Sequence, residues 1–131
     1  MGTFFPVFWQ LVRTEEAQRN YDKISEMAKK SSYILRTLEN HLINNNFVAG
    51  KELTFGDIPL GVLMHKYFVL DIERPSLPGI EGWYGRLCER EAFQEHAMQP
   101  FGNSPEEFLE LQRLGEQQLT NANLNSSKKI I

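Results

Sequence analysis

The chain has 131 residues, enough for one domain with a core of its own and hardly for two. Hydrophobic residues make up 41%, charged residues 24% and the formal net charge is −3. That balance lacks the basic footprint of a nucleic-acid or anionic-membrane binder, and no apolar run reaches the roughly 20 residues of a membrane span. Cys88 is the only cysteine, which excludes an internal disulfide and a thiolate metal cluster and points to a reducing, cytoplasmic setting.

The apolar start, Phe4 to Trp9, has neither a basic n-region nor a small-residue cleavage site, which argues against a signal peptide. Thr3 to Ala17 reads as a first helix, with Phe5, Phe8, Trp9 and Val12 at helical spacing and Pro6 tolerated in the first turn. Tyr21, Ile24, Ala28, Leu35, Leu38 and Leu42 form the stripe of a second, amphipathic helix of about six turns, widened by Met27 and Ile34. Lys23, Glu26, Lys29, Lys30, Arg36 and Glu39 are expected on its solvated face, and Asn44 to Asn46 are expected to end it in a left-handed cap. Phe47 to Gly50 reads as a short extended link with a turn at Gly50-Lys51.

A third helix has an explicit start. Thr54 stands as N-cap with Asp57 three residues on, a capping box with Asp in place of Glu; Leu53 and Ile58 have the spacing of a hydrophobic staple. The body from Leu60 to Leu70 is apolar almost all round, as in a central buried helix, and Pro59 should distort only its first turn. A loop, Arg74 to Pro78, leads into a fourth helix over Leu77 to Arg90, with Ile80, Trp83, Tyr84 and Leu87 inward. Gly79, Gly82 and Gly85 weaken that helix, so close packing of a neighbour is expected there. A short fifth helix runs from Glu91 to Met98. Ser104, Pro105 and Glu107 start a sixth, with Phe108, Leu111, Leu114 and Leu119 as its stripe. Thr120 to Ile131 are polar and poorly patterned, and read as a disordered tail. The expected organisation is all-α, a bundle of five to six helices: a domain over 1–102, an additional helix over 103–119 packed on it, and a tail over 120–131.

Few residues invite chemistry. Thr54 and Asp57 read as a structural cap. His41, His65 and His96 form no ligand pair, so no metal site is expected, and His65 reads as a satisfied core residue. Cys88 reads as a small buried hydrophobe, since no His or carboxylate is placed by sequence to activate it. The Lys29-Lys30 and Lys128-Lys129 pairs read as solvated.

Three stretches resemble the C-terminal, all-helical domain of glutathione transferases. Phe47-Val-Ala-Gly-Lys-Glu-Leu-Thr-Phe-Gly-Asp-Ile-Pro-Leu-Gly is similar to that family's aromatic-aliphatic-Ala-Gly turn followed by Ser/Thr-x-x-Asp-Ile. Arg74 to Phe93 looks like the family's next helix and its end, with Glu91 where the family usually has proline. Phe8-Trp-Gln-Leu-Val-Arg-Thr is similar to the end of the fourth helix in a bacterial branch. The resemblance covers roughly Phe4 to Pro100.

The resemblance implies an all-α fold and a place in the half of the enzyme that holds the hydrophobic second substrate and the dimer contact. Phe8, Trp9, Val12 and Tyr67 are the residues it implies for the substrate pocket. It also implies that glutathione and the thiol-activating residue belong to an N-terminal thioredoxin-like domain with no counterpart in these residues. No catalytic residue is expected here, therefore, and no cofactor unless such a domain is supplied. A homodimer through the first two helices, with a separate thioredoxin-like domain as a further partner, is the expected assembly. The alternative is a stand-alone module binding a protein partner or an apolar small molecule.

Overall fold

The computed structural model describes residues 4–102 and 104–128. Six helices follow in chain order: α1 (Phe4–Val12), α2 (Tyr21–Leu42), α3 (Asp57–Val69), α4 (Pro78–Cys88), α5 (Glu91–Ala97) and α6 (Pro105–Lys128). No strand occurs among the described residues, so the fold is all-α as the periodicity implies. No helix among them is long and apolar enough to cross a membrane.

Two clusters make the core. The larger joins Leu42 of α2, Met64 and Tyr67 of α3, Leu77, Ile80, Trp83 and Leu87 of the α4 region, and Phe93 and Ala97 of α5. The smaller gathers Val7, Phe8 and Val12 of α1 around Ile24, Leu70 and Phe101. Helix α3 contributes to both through its body and its C-cap Leu70, which makes it the axis of the bundle. Its Gly61 lets α4 and α5 approach closely: a Cβ there would lie 2.6 Å from a Leu87 methyl carbon and 2.8 Å from the Phe93 ring.

Several elements depart from the sequence pattern. Helix α1 stops at Val12 and gives way to a 3₁₀ turn over Glu16–Gln18. The Thr14 hydroxyl shares the Trp9 carbonyl with the Arg13 N–H, and the Arg19 Nε–H donates to the Thr14 carbonyl, the acceptor that a continuing helix would offer to the Gln18 N–H. Asn20 caps α2 by accepting the Lys23 N–H at 2.9 Å. At the other end of α2 the asparagines cap without a left-handed residue: the Asn45 amide donates to the His41 carbonyl, and only Gly50 and Gly102 have positive φ among the described residues. The link after α2 closes as a tight turn, with Phe47 and Gly50 exchanging both backbone hydrogen bonds and Gly50 at φ 127°. Tyr21 and Ile34, expected on the inner stripe of α2, are exposed; of the early part of that helix, Ile24 and Met27 meet the α1 cluster. With α3 starting at Asp57, Pro59 falls on a first-turn N–H that has no helical partner to lose.

Helix α6 differs most. It runs as one helix to Lys128, through the segment whose polar composition reads as a tail; that segment holds neither proline nor glycine to stop it. Its docking is local. Phe108 packs against the smaller cluster, Leu111 is half-buried, and Leu109 and Leu114 are 59% and 44% exposed. Thr3, the side chains of Phe5 and Leu119, and residues 129–131 lie outside the described residues.

Candidate functional site

The densest polar constellation lies at the start of α3. Asp57 is fully buried. One carboxylate oxygen accepts the Val48 N–H and the Trp83 indole N–H, each at 2.8 Å; the other accepts the Thr54 N–H at 2.8 Å and the Thr54 hydroxyl at 3.1 Å. Burial pushes this carboxyl upward, but the bonds from Val48, Thr54 and Trp83 outweigh it and hold the group below its ordinary value of 3.8. The expected capping box is thus half made. Asp57 satisfies Thr54's N–H, but the Thr54 hydroxyl donates to Asp57 and accepts no backbone N–H from it, while Gly56 occupies the cap position. Leu53 and Ile58, the staple pair, both pack on the larger cluster. Asp57 sits where a helix dipole favours an anion, and its lone pairs are spent on three elements of the fold. The arrangement holds the turn, α3 and α4 together; it leaves no lone pair for a substrate proton.

Two further buried groups work in the same way. Glu39, assigned by its charge to the solvated face of α2, is 7% exposed. Its carboxylate accepts the Gly79 and Ile80 N–H groups at 2.8 and 2.9 Å, capping α4 from another helix. A signal for this was present. Glu39 follows Ala28 by about three helical turns, which places it on the apolar stripe. His65 is also 7% exposed, and its Nδ1 shares a 2.9 Å hydrogen bond with the Tyr84 hydroxyl. Burial first, then the Lys66 charge, lowers its pKa, so it is a neutral core partner. Burial and the Cys88 thiol raise Tyr84 well above the ordinary phenol range.

The four residues proposed to line a pocket are not brought together on one surface. Phe8 and Val12 are buried in the smaller cluster, and Tyr67 is buried in the larger one. Trp9 alone of the four is open, at 56% exposure, and borders a recess of about 170 Å³ between α1 and α2 with Pro6, Lys23 and Met27. The helical spacing of Phe8 and Val12 is that of an inward face, which Ile24, Leu70 and Phe101 take up, while Tyr67 packs in the larger cluster. A larger cleft of about 700 Å³ lies between α2 and the segment from Asp71 to Pro75, bordered by Ile24, Ala28, Lys29, Tyr33, Arg36 and Ile72. No group of His, Cys, Asp or Glu among the described residues has the arrangement of a metal site.

The helical bundle is threaded on one buried helix, whose first acid is locked into the preceding turn and into the next helix. The chain belongs to the family described as glutathione S-transferase, C-terminal domain, which matches residues 1–91. Glutathione S-transferase GstB of Escherichia coli K12 is 27% identical over 90 residues, a stretch covering 69% of this chain and 43% of that protein. The theta class glutathione S-transferase of Xanthomonas axonopodis pv. citri, solved with glutathione bound and in apo form, superposes with a TM-score of 0.73 at 36% identity. That match takes in 77% of this chain and 53% of the Xanthomonas chain. The chain therefore spans about half the length of the relatives it matches.

Proposed function

We propose that these residues form the helical, electrophile-side and self-association half of a glutathione-transferase-like protein, and that glutathione chemistry needs a thioredoxin-like domain beside it. The observation that supports this is the extent of the likeness: a full helical domain superposes on about half of a theta class transferase. In this reading Trp9 meets an apolar electrophile from the recess between α1 and α2, with Phe8 and Val12 packed in the core beneath α1 and Tyr67 in the larger cluster. The core groups Asp57, Glu39 and His65 tie the helices together and take no part in the chemistry. Self-association belongs to the same reading, since α2 leaves Tyr21, Tyr33 and Ile34 exposed. So does a reducing, cytoplasmic setting for the single free Cys88.

Isothermal titration tests it. The 131-residue chain should show no saturable heat with millimolar glutathione, and binding should appear when a thioredoxin-like domain is added in trans. Saturable binding by the chain alone would overturn the assignment. A module that binds a protein partner is the second reading. It is favoured by α6, which lies beyond the family match and exposes Leu109 and Leu114.

A further inference from the structure

Arg13 closes the last turn of α1, its N–H donating to the Trp9 carbonyl, so the two side chains stand on the same side of the helix. The Arg13 guanidinium carbon lies 5.1 Å from the centre of the Trp9 ring and 3.9 Å from that of the Phe108 ring. Contact with aromatic faces suits the cation but satisfies none of its N–H donors. The Arg13 Nε–H is buried without an acceptor, and no carboxylate pairs with the guanidinium among the described residues. The residue as a whole is half-buried, which leaves the outer, Nη end of the fork open to solvent.

Lys66 repeats the arrangement: its ammonium lies 5.2 Å from the centre of the Phe8 ring, within the cluster on which Phe108 packs, and it too has no salt bridge among the described residues. The chain has 17 acidic residues against 14 basic ones, so a shortage of carboxylates is not the reason. One aromatic cluster therefore carries two cations with no counter-charge among the described residues. Packing fixes the Arg13 guanidinium and strips part of its water, which strengthens its attraction for an anion presented to the open end. A planar fork is matched by a carboxylate, which it can bind through two parallel hydrogen bonds. The open ring of Trp9 beside it offers an aromatic face to the apolar part of the same molecule.

We propose that the apolar compound received at Trp9 carries a carboxylate, and that Arg13 is the residue that selects it. This rests on the electrophile-side reading of α1 above and adds the charge of the ligand to it. NMR titration of the isotope-labelled full chain tests it, with benzoate and its neutral near-isostere benzamide as probes and far-UV circular dichroism to confirm that each variant folds. Benzoate should bind the parent chain at least about tenfold more tightly than benzamide, and should shift the Arg13 Nε–H signal together with the Trp9 indole signal. Arg13→Gln should bring the two probes within about twofold of each other. Arg13→Lys should keep part of the preference, because a point charge replaces the planar fork. Trp9→Ala should weaken both probes alike. If the parent binds both probes equally through Trp9, the apolar-ligand reading of α1 stands and the charge selection is overturned. If neither probe binds at millimolar concentration, both are overturned. A preference for benzoate that survives Arg13→Gln moves the selection to another cation and overturns the assignment to Arg13. Should Arg13→Gln fail to fold, the parent decides: an Arg13 Nε–H signal that benzoate leaves unmoved makes Arg13 a clamp on Phe108 and overturns the proposal.

Discussion

Glu39 reaches Gly79 across forty residues of sequence, its Oε1 accepting the Gly79 N–H at 2.8 Å. The same glycine makes that approach possible, because a Cβ on residue 79 would lie 2.8 Å from the Ile43 nitrogen and 3.0 Å from the Glu39 carbonyl oxygen. The C-terminal turn of α2 and the N-terminal turn of α4 are therefore in direct backbone contact, with one carboxylate satisfying two otherwise orphaned donors.

Glu39→Ala should destabilise the domain by about 2–4 kcal/mol, because the Gly79 and Ile80 N–H groups would stay buried without acceptors. Glu39→Gln keeps one acceptor and should cost roughly half as much. Urea unfolding measures both. A loss under about 0.5 kcal/mol for the alanine variant would mean that water replaces the carboxylate.

The glycines of α4 should separate under substitution. Gly79→Ala should lower stability despite alanine's better helix propensity, since its methyl meets backbone atoms that cannot move aside. Gly85 has nothing within 4 Å of a built Cβ, so Gly85→Ala should raise stability by up to about 1 kcal/mol. Thermal melts of the two variants should shift in opposite directions.

Asp57→Ala should cost at least about 3 kcal/mol, since it strands the Val48, Thr54 and Trp83 donors inside the protein. Thr54→Ala removes only a hydroxyl that donates to the same carboxylate, and should cost about 0.5–1 kcal/mol. The Asp57 carboxyl is held below its ordinary 3.8, so its stabilisation is present above that pH and is lost as pH falls through the lowered value. Acid unfolding of Asp57→Asn should therefore be less steep below about pH 4 than that of the parent.

His65 has a lowered pKa, so the unfolded chain takes up its proton first as pH falls. The favourable contribution of the neutral ring is whole above its ordinary 6.5 and declines below it. Stability measured between pH 8 and pH 5 should fall in the parent and fall less in His65→Gln, whose side chain does not titrate. Equal slopes in the two proteins would show that His65 is protonated in the fold without penalty.

The order and approximate limits of the helices were legible in the chain because each carries a local signal. The α2 and α4 stripes follow the 3.6-residue period, and Ser104-Pro105 opens α6. The Thr54/Asp57 spacing and the turn before it also carried the family resemblance, which the comparisons bear out. Local pattern could not say which neighbour covers a face or which polar residue goes inside. Glu39 was placed by its charge, yet the N-terminus of α4 supplies the donors that make its burial tolerable. Asp57 was legible as a cap, but its bond to Trp83 depends on α4 crossing α3. Phe8 and Val12 have the same spacing whether they line a pocket or fill a core, and Ile24, Leu70 and Phe101 bury them, while Tyr67 is buried in the larger cluster with Leu42 and Trp83. The sequence alone thus determined the fold class and the starts of most helices, which depend on residues three or four apart, while α3 begins at Asp57 behind Gly56 and not behind Thr54. Tertiary structure decided the burial of charge and the fate of each aromatic face, because desolvation is set by partners far away in the chain.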